Sequence, residues 1–250
     1  MSDAHVLVTQ NRLLAALPAA TLQLLIPHFE WVDLVLNTTL YEVYQTEEYA
    51  YFPLSGICSV IAENLSGVQI DTGLIGKDGF VGIPIILFAD RTPSRIIILA
   101  EGRAMRISRD SLLAVFNQNQ ALRIALLRYA HVFSVQISQT ALANGSFNIN
   151  RRLARWLLMC QDRIDGREFP MTHRFLAEML AVRRAGITEA LNYLEGRNAI
   201  KALRGRIIIL NRSQLEDVAD GAYGMPEQEY KRLLASWSPM SNAQAEQFDA

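Results

Sequence analysis

The sequence has little cysteine and no long apolar run. Its two cysteines, Cys58 and Cys160, lie far apart along the 250 residues. They exclude a disulfide-stapled fold and are typical of a reducing cytosol. No apolar run approaches the roughly 20 residues of a membrane span, and the start, Met1-Ser-Asp-Ala-His, lacks the basic and apolar regions of a signal peptide. We therefore expect a soluble cytoplasmic protein that makes no contact with membranes.

The chain also has little net charge, −1 in total, but its charges are unevenly distributed. Residues 1–145 carry 9 basic and 12 acidic side chains, residues 146–212 carry 13 and 6, and residues 213–250 carry 2 and 7. The middle segment therefore has a net charge of +7. This excess of basic residues predicts a polyanionic partner for that segment, such as DNA.

Catalytic and metal-binding motifs are missing from the sequence. There is no His-x-x-x-His, no Gly-x-Ser-x-Gly and no cluster of metal ligands. Glycines recur every third residue at Gly73, Gly76, Gly79 and Gly82, but they do not complete a phosphate-binding loop. We expect these glycines at bends that need a positive φ. The chain is predicted to be neither an enzyme nor a metal protein.

The first 117 residues predict a sensor domain built on an antiparallel β-roll. Residues 13–29 have the apolar spacing of short amphipathic helices. Residues 32–107 then consist of short apolar runs rich in β-branched residues and cut by Gly, Pro and Asp. Such a pattern is typical of short strands separated by turns.

A long helix is predicted within residues 118–145, from about Gln118 to Ala143, ending near Asn144-Gly145. It is apolar on more than one face, so it needs two surfaces to bury it. We expect the roll to provide one surface and a second copy of the helix the other; the alternative is one helix buried within a monomer. The predicted homodimer interface consists of Leu122, Ala125, Leu126, Tyr129, Val132, Phe133 and Ile137.

Residues 146–220 predict a winged helix-turn-helix. Two short helices, His173–Leu180 and Arg183 to about Glu195, are joined by Ala181-Val182. A hairpin with Arg204-Gly-Arg at its tip follows as the wing. The predicted DNA contacts are Thr172, His173, Arg183, Arg184, Thr188, Arg204 and Arg206. Residues 221–250 are predicted as a weakly patterned tail with a short helix at Pro226–Trp237.

The chain resembles the Crp/Fnr transcription regulators, because a β-roll, a long helix and a winged helix follow one another in this order. The resemblance covers the chain to about residue 220 and is sharpest at Asn150-Arg-Arg-Leu-Ala-Arg-Trp-Leu-Leu, at Met171 through Arg184, and at Gly205-Arg-Ile. It implies a homodimer that binds a two-fold symmetric DNA site. It also implies that ligand binding to the roll determines the orientation of the DNA-binding domains. RNA polymerase is a further candidate partner.

The resemblance also implies roles for single residues. The family's base-reading arginine falls on Arg184, the phosphate contacts of the wing fall on Arg204 and Arg206, and the phosphate contact at the helix start falls on Thr172. Ala185 and Glu189 occupy the positions of a further acidic and a further basic reader. Because both differ from the family pattern, the family's operator sequence is not carried over, and Arg183 is a candidate substitute.

The effector positions also depart from the cyclic-nucleotide members of the family. Ile83 follows Gly82 where those members have the Glu that holds the ribose, and Pro93-Ser94 replaces the Arg-Ser that holds the phosphate. This argues against cyclic nucleotide, because an apolar side chain cannot accept the ribose hydrogen bonds. The candidate effector positions are Gly82, Ile83, Arg91, Ser94 and Arg95. Arg91 and Arg95 either hold an anion or are solvent-exposed loop residues without a ligand.

No cofactor is identified from the sequence. Two cysteines cannot supply the four ligands of an iron–sulfur cluster, and nothing marks His28 or His131 as a haem ligand. The sequence therefore predicts an α+β chain of β-roll, dimerisation helix and winged helix-turn-helix, with the function of a DNA-binding transcription regulator and an unknown effector. The alternative is a ligand-binding β-roll module that acts through a protein partner.

Overall fold

A computed structural model describes residues 8–235. Short helices lead into the roll: α1 (Arg12–Ala15), α2 (Ala19–Leu25) and a 3₁₀ turn (Ile26–His28). The strands of the roll are β1 (Glu30–Leu34), β2 (Thr39–Tyr41), β3 (Tyr49–Pro53), β4 (Ile57–Glu63), β5 (Gln69–Ile75), β6 (Arg95–Ala100) and β7 (Gly102–Ser108), with the short helix α3 (Ile83–Ile86) before β6. All strand pairs are antiparallel. The predicted β-roll is confirmed.

Two sheets form this roll, with strand orders β1-β7-β3 and β2-β6-β4-β5. Alternating residues point inward, so that Phe52 on β3 is fully buried opposite Met105 on β7. Phe52 stacks on Phe80, which in turn contacts Tyr129 of the following long helix. The core of the roll is therefore closed on one side by that helix.

The helices that follow the roll are α4 (Arg109–Gln118) and α5 (Gln120–Ser146). The predicted helix from Gln118 therefore starts later, because Asn119 leaves the helical conformation and caps α5 by accepting a hydrogen bond from the Leu122 amide at 2.9 Å. The helix also continues past the predicted end, with Gly145 inside its last turn. Gly145 therefore does not terminate the helix.

The predicted dimer interface needs correction. The face of α5 that was assigned to a second copy packs against the chain's own roll, and each of its side chains is at most 7% exposed. These residues are Leu122, Ala125, Leu126, Tyr129, Val132 and Phe133. They are inaccessible to a partner, because the apolar stripe covers the core of the same chain. Of the predicted set, only Ile137 remains on the surface, at 38% exposure.

The glycines of β5 and the following turn also differ from expectation. Of the four, only Gly82 has a positive φ, at 141°. The other three allow close packing: a Cβ on Gly73 would lie 2.8 Å from the Phe133 ring, one on Gly76 2.6 Å from Arg163, and one on Gly79 1.9 Å from the Tyr129 hydroxyl. Their role is therefore to let α5 and the turn after α6 approach the roll.

Helix α5 is also fixed to the edge of a sheet by a side-chain amide. Strand β5 is the last strand of its sheet. The Leu74 amide donates to Gln136 Oε1 at 2.7 Å, and Gln136 Nε2 donates to the Leu74 carbonyl at 3.2 Å. The buried Gln136 thus makes the two hydrogen bonds that a neighbouring strand would make.

The remaining elements form the winged helix and a C-terminal segment. In chain order they are α6 (Ile149–Gln161), β8 (Glu168–Pro170), α7 (His173–Met179), α8 (Arg184–Gly196), β9 (Ile200–Leu203), β10 (Arg206–Ile209), α9 (Arg212–Ala219), α10 (Met225–Tyr230) and a π turn (Lys231–Ala235). The three strands pair in the order β8-β10-β9. Helix α10 replaces the predicted helix Pro226–Trp237, whose last two positions and the rest of the tail lie outside the described residues.

The roll and the winged helix share one hydrophobic core. Ile57, Leu74 and Leu99 of the roll belong to the same buried cluster as Trp156 and Leu157 of α6. A buried ion pair reinforces this contact, with an Arg163 Nη2 to Asp78 Oδ2 distance of 2.9 Å. The position of the winged helix is therefore set by packing against the roll, beyond the covalent connection through α5.

The C-terminal segment, residues 221–235, returns to the side of α5. Arg128 donates to the Leu233 carbonyl at 3.1 Å, and His131 Nε2 lies 3.1 Å from Glu229 Oε1. This segment therefore covers one flank of the long helix. Among residues 8–235, no helix is long and apolar enough to span a membrane.

Candidate nucleic-acid interface

The predicted helix-turn-helix is present, and local interactions explain its geometry. Thr172 caps α7, since its Oγ1 accepts a hydrogen bond from the Phe175 amide at 3.1 Å. The chain then turns sharply at Ala181, which has a φ of 48°. The Val182 amide donates to the Ala177 carbonyl at 3.0 Å and closes the turn. Ile187 and Leu191 are buried and fix α8 against the rest of the domain.

The start of α8, the recognition helix, is basic and open. Arg183 is its N-cap residue and Arg184 its first helical residue. Both side chains are exposed, and neither has an ion-pair or hydrogen-bond partner within residues 8–235. An unpaired guanidinium at this position can donate two hydrogen bonds to guanine O6 and N7. The two arginines are therefore available for base contacts.

Two other predicted contact residues serve the motif itself. His173 Nδ1 lies 3.2 Å from the Thr188 hydroxyl, which bridges α7 and α8. The same hydroxyl donates to the Arg184 carbonyl at 3.3 Å. These contacts hold the two helices in register. His173 is half-buried, so it supports the orientation of the recognition helix.

The wing is a tight hairpin between β9 and β10. Gly205 at its tip has a φ of 77°, and its carbonyl accepts a hydrogen bond from the Met171 amide at 2.8 Å. Arg204 is exposed and has no ion-pair or hydrogen-bond partner among the residues described, whereas Arg206 pairs with Glu168 at 2.8 Å. Exposed pairs of this kind contribute about 0–1 kcal/mol, so Arg206 can exchange Glu168 for a phosphate at little cost.

Sequence inspection missed a residue that positions the motif. Arg152 of α6 is not among the predicted contact residues, and its guanidinium donates to the Leu180 carbonyl at the end of α7. That carbonyl has no partner within its own short helix, so Arg152 anchors the turn before the recognition helix. The only signal in the sequence was the resemblance around Asn150, which does not distinguish the arginines.

The local charge of +7 is not all directed to the surface. Arg155 is 5% exposed and donates to the Gln136 carbonyl at 3.3 Å. Arg163 is 4% exposed and pairs with Asp78. These two cations connect the domain to α5 and to the roll. The basic surface that could face DNA is therefore smaller than the segment count predicts and is concentrated at the recognition helix and the wing.

The DNA-binding elements lie beside the roll. Arg183 and Arg184 line a cleft of about 690 Å³ whose other wall is the β4–β5 hairpin at Gly67, Val68 and Gln69. A second cleft separates Thr172 from Asn37. The start of the recognition helix therefore faces the roll across a cleft.

The predicted effector positions fall into two groups. Gly82, Ile83 and Ser94 line a cavity of about 270 Å³ between the roll and α5, which we call the effector cavity. No charged side chain lines it. Arg91 and Arg95 lie outside this lining and pair with Asp90 at 2.9 Å and Glu63 at 2.5 Å, respectively. That either arginine holds an anion stays a prediction, and an anion held there would lie outside the effector cavity.

Comparisons with known proteins agree with this geometry. Residues 151–218 match the family model of the Crp-like helix-turn-helix domain. No curated protein sequence matches the chain. Among solved structures, one described as a Crp/Fnr-family transcriptional regulator from Eubacterium rectale is similar at 16% identity, with a TM-score of 0.66 over 84% of this chain and 99% of the other.

Two further structures are similar over most of their length. FixK2 from Bradyrhizobium japonicum has 14% identity and a TM-score of 0.65, covering 76% of this chain and 96% of its own. The c-di-GMP responsive global regulator CLP from Xanthomonas campestris has 17% identity and a TM-score of 0.62, covering 77% of this chain and 99% of its own. At these identities the structures establish a shared fold.

A winged helix-turn-helix packed on a β-roll by a long helix defines a class of DNA-binding transcription regulators. The family model identifies the DNA-binding domain by sequence at residues 151–218, and the solved structures share the fold over 84% and 76% of this chain. Residues 151–218 belong to the Crp-like helix-turn-helix domain family, and the chain as a whole has the fold of Crp/Fnr transcription regulators of known structure.

Proposed function

We propose that the protein binds a two-fold symmetric DNA operator as a homodimer in the cytoplasm and regulates transcription there. The observation that carries this proposal is a pair of exposed arginines without partners, Arg183 and Arg184. They lie at the start of a recognition helix that is held in place by its buried face. In the major groove, Arg184 reads a guanine and Arg183 supports it. Arg204 and Arg206 contact phosphates through the wing, and Thr172 does so at the start of α7.

The dimer in this proposal uses a different face of α5 from the one first predicted. Beside the buried stripe, small and apolar residues recur with alternating spacings of three and four, the pattern of a coiled-coil seam. They are Leu127, Ala130, Ser134, Ile137 and Ala141. Leu127 and Ile137 are 41% and 38% exposed. The Ser134 hydroxyl donates to the His131 carbonyl at 2.7 Å, so its donor is satisfied when the seam is buried.

A change of oligomeric state tests this seam. A carboxylate at Ile137 would be buried without a partner, so Ile137→Glu is expected to give a monomer by analytical ultracentrifugation. Val35→Glu is the matched control, because Val35 is 57% exposed on the roll, away from the seam, and it is expected to stay dimeric. A dimeric Ile137→Glu variant would refute the seam.

DNA selection at fixed salt tests the function. Recovery of one palindromic site from genomic fragments supports the regulator, whereas no enrichment over bulk DNA supports the alternative of a roll that acts through a protein partner. On the selected site, Arg184→Ala is expected to cost about 1–3 kcal/mol and to relax the preference at one base pair. Arg103→Ala, on the roll, is the control. An unchanged affinity for Arg184→Ala would show that the recognition-helix assignment is wrong.

The effector in this proposal is an uncharged small molecule in the effector cavity. Ile83, Leu87 and Ile96 give this cavity an apolar lining, and Ala130, Ser134 and Ile137 of α5 form its other wall. Because these α5 residues belong to the proposed seam, a bound effector contacts the dimer interface and can change the orientation of the DNA-binding domains. In vitro transcription from the selected operator tests RNA polymerase as a partner and separates activation from repression.

A further inference from the structure

A second cavity, of about 620 Å³, lies where the roll, α5, the end of α6 and the C-terminal segment meet. We call it the junction cavity. Arg12 and Lys77 contribute from the roll side, Tyr129 and Val132 from α5, and Glu227 from α10. Its volume is typical of sites for small organic molecules. Phe133 lines both cavities, so its ring lies between the junction cavity and the effector cavity.

The polar walls of the junction cavity are held by their own contacts. Asp162 accepts a hydrogen bond from the Tyr223 hydroxyl and pairs with Arg212 at 3.0 Å. Asp78 pairs with Arg163 and accepts from the Gly76 amide at 3.1 Å. These groups have found partners within the protein, so they fix the shape of the cavity without a ligand.

Arg12 differs from these paired groups. It is exposed, it lines the cavity, and its guanidinium has no hydrogen-bond or ion-pair partner in the part of the chain that the structure describes. The lining as a whole contains five basic and four acidic residues and has a net charge of +1. The basic residues are Arg12, Lys77, Arg163, Arg212 and Lys231, and the acidic ones are Asp78, Asp162, Asp165 and Glu227. A ligand with one negative charge balances this site.

Apart from Gln136, Gln161 and Gly166, the remaining lining is apolar or aromatic and includes Val132, Phe133, Ile164 and Pro226. We propose that the junction cavity binds an organic acid with one carboxylate, which Arg12 holds with two hydrogen bonds while an apolar body packs on these side chains. A planar guanidinium matches a carboxylate in this way. A doubly charged phosphate fits less well, because the nearby carboxylates of Asp78, Asp162 and Glu227 repel it.

The site depends on a part of the chain beyond the matched helix-turn-helix domain, which ends at residue 218. Tyr223, Pro226, Glu227 and Tyr230 all follow that residue and form one wall. The shielded Tyr230 hydroxyl in this wall has no hydrogen-bond partner among residues 8–235. A site built from the roll, the long helix and this segment is distinct from the effector cavity, and its ligand contacts three parts of the molecule at once.

Calorimetric titration of the full chain with 2-naphthoate tests the proposal, with the uncharged 2-naphthamide and inorganic phosphate as comparison ligands. We expect saturable binding of 2-naphthoate, at least tenfold weaker binding of the amide, and no competition from equimolar phosphate. Arg12→Gln is expected to weaken naphthoate binding at least tenfold, and Arg12→Lys to weaken it less, because an ammonium keeps the positive charge but loses the two parallel hydrogen bonds. Arg103→Gln, an exposed arginine outside the cavity, is expected to have no effect.

Several results would overturn the proposal. No saturable binding of 2-naphthoate would do so, as would equal binding of the acid and the amide or an unchanged affinity in Arg12→Gln. Ile83→Phe fills the effector cavity and leaves the junction cavity intact. If Ile83→Phe abolished binding while Arg12→Gln did not, the acid would occupy the effector cavity, and the junction cavity would not be its site.

Discussion

The buried ion pair between Arg163 and Asp78 makes a sharp prediction about the joint between the roll and the winged helix. Arg163 is 4% exposed and also donates to the Leu74 carbonyl at 3.1 Å and the Met159 carbonyl at 2.8 Å. Arg163→Met removes all three contacts and leaves the Asp78 carboxylate, whose side chain is 15% exposed, without its cation. Breaking a buried pair on one side costs about 3–5 kcal/mol. We expect Arg163→Met to lose that much unfolding free energy.

Urea denaturation at fixed protein concentration measures this loss. The matched control is Arg174→Met, because Arg174 is 83% exposed and pairs with Glu178 at 2.8 Å on the surface of α7. It should change stability by less than about 0.5 kcal/mol. Adding Asp78→Asn to Arg163→Met removes the stranded charge, so the double variant should lose less than the sum of the two single changes. A loss below about 1 kcal/mol for Arg163→Met would refute the reasoning.

Three further predictions concern pH, packing and the effector. Burial raises the pKa of Glu47 from 4.5 to about 7, so the protonated acid is the form that the fold favours, and stability should fall as the pH rises from about 4.5 through 7. Glu47→Gln should remove this loss, so in urea denaturation its free energy of unfolding should exceed that of the unchanged protein by about 3 kcal/mol at pH 8 and by almost nothing at pH 4. If the two proteins lost stability in parallel as the pH rises, the prediction would be contradicted. Gly79→Ala places a methyl 1.9 Å from the Tyr129 hydroxyl and should cost at least about 1–3 kcal/mol, whereas Gly145→Ala, with no atom within 4 Å, should gain up to about 1 kcal/mol. Cyclic AMP should leave the Tm and the operator affinity unchanged, because Ile83 cannot accept a ribose hydrogen bond; a saturable rise in Tm would contradict this expectation.

Local sequence rules predicted most of the winged helix. Thr172 has the side chain of an N-cap residue, Ile187 and Leu191 have the spacing of a buried helix face, and Gly205 marks the wing turn. Each of these signals spans only a few residues and reports a hydrogen bond or a packing face that forms nearby. The order of the domains followed from the change between strand and helix periodicity.

Contacts between distant segments were not predictable in the same way. The periodicity of α5 shows that Leu122 and Phe133 are buried, but it does not show which surface buries them. Arg163 has the appearance of a surface cation in a basic helix because its partner, Asp78, lies in a separate domain. The spacing of Gly76 and Gly79 likewise suggested bends, because Arg163 and Tyr129, the residues that pack against them, occur much later in the chain.

The Gln136 amide also has a consequence for the solubility of the protein. An edge strand with unpaired backbone groups is a template to which strands of other molecules can add. Gln136 closes part of that edge at Leu74, so a movement that lifts α5 from the roll opens a site for aggregation as well as rearranging the domains.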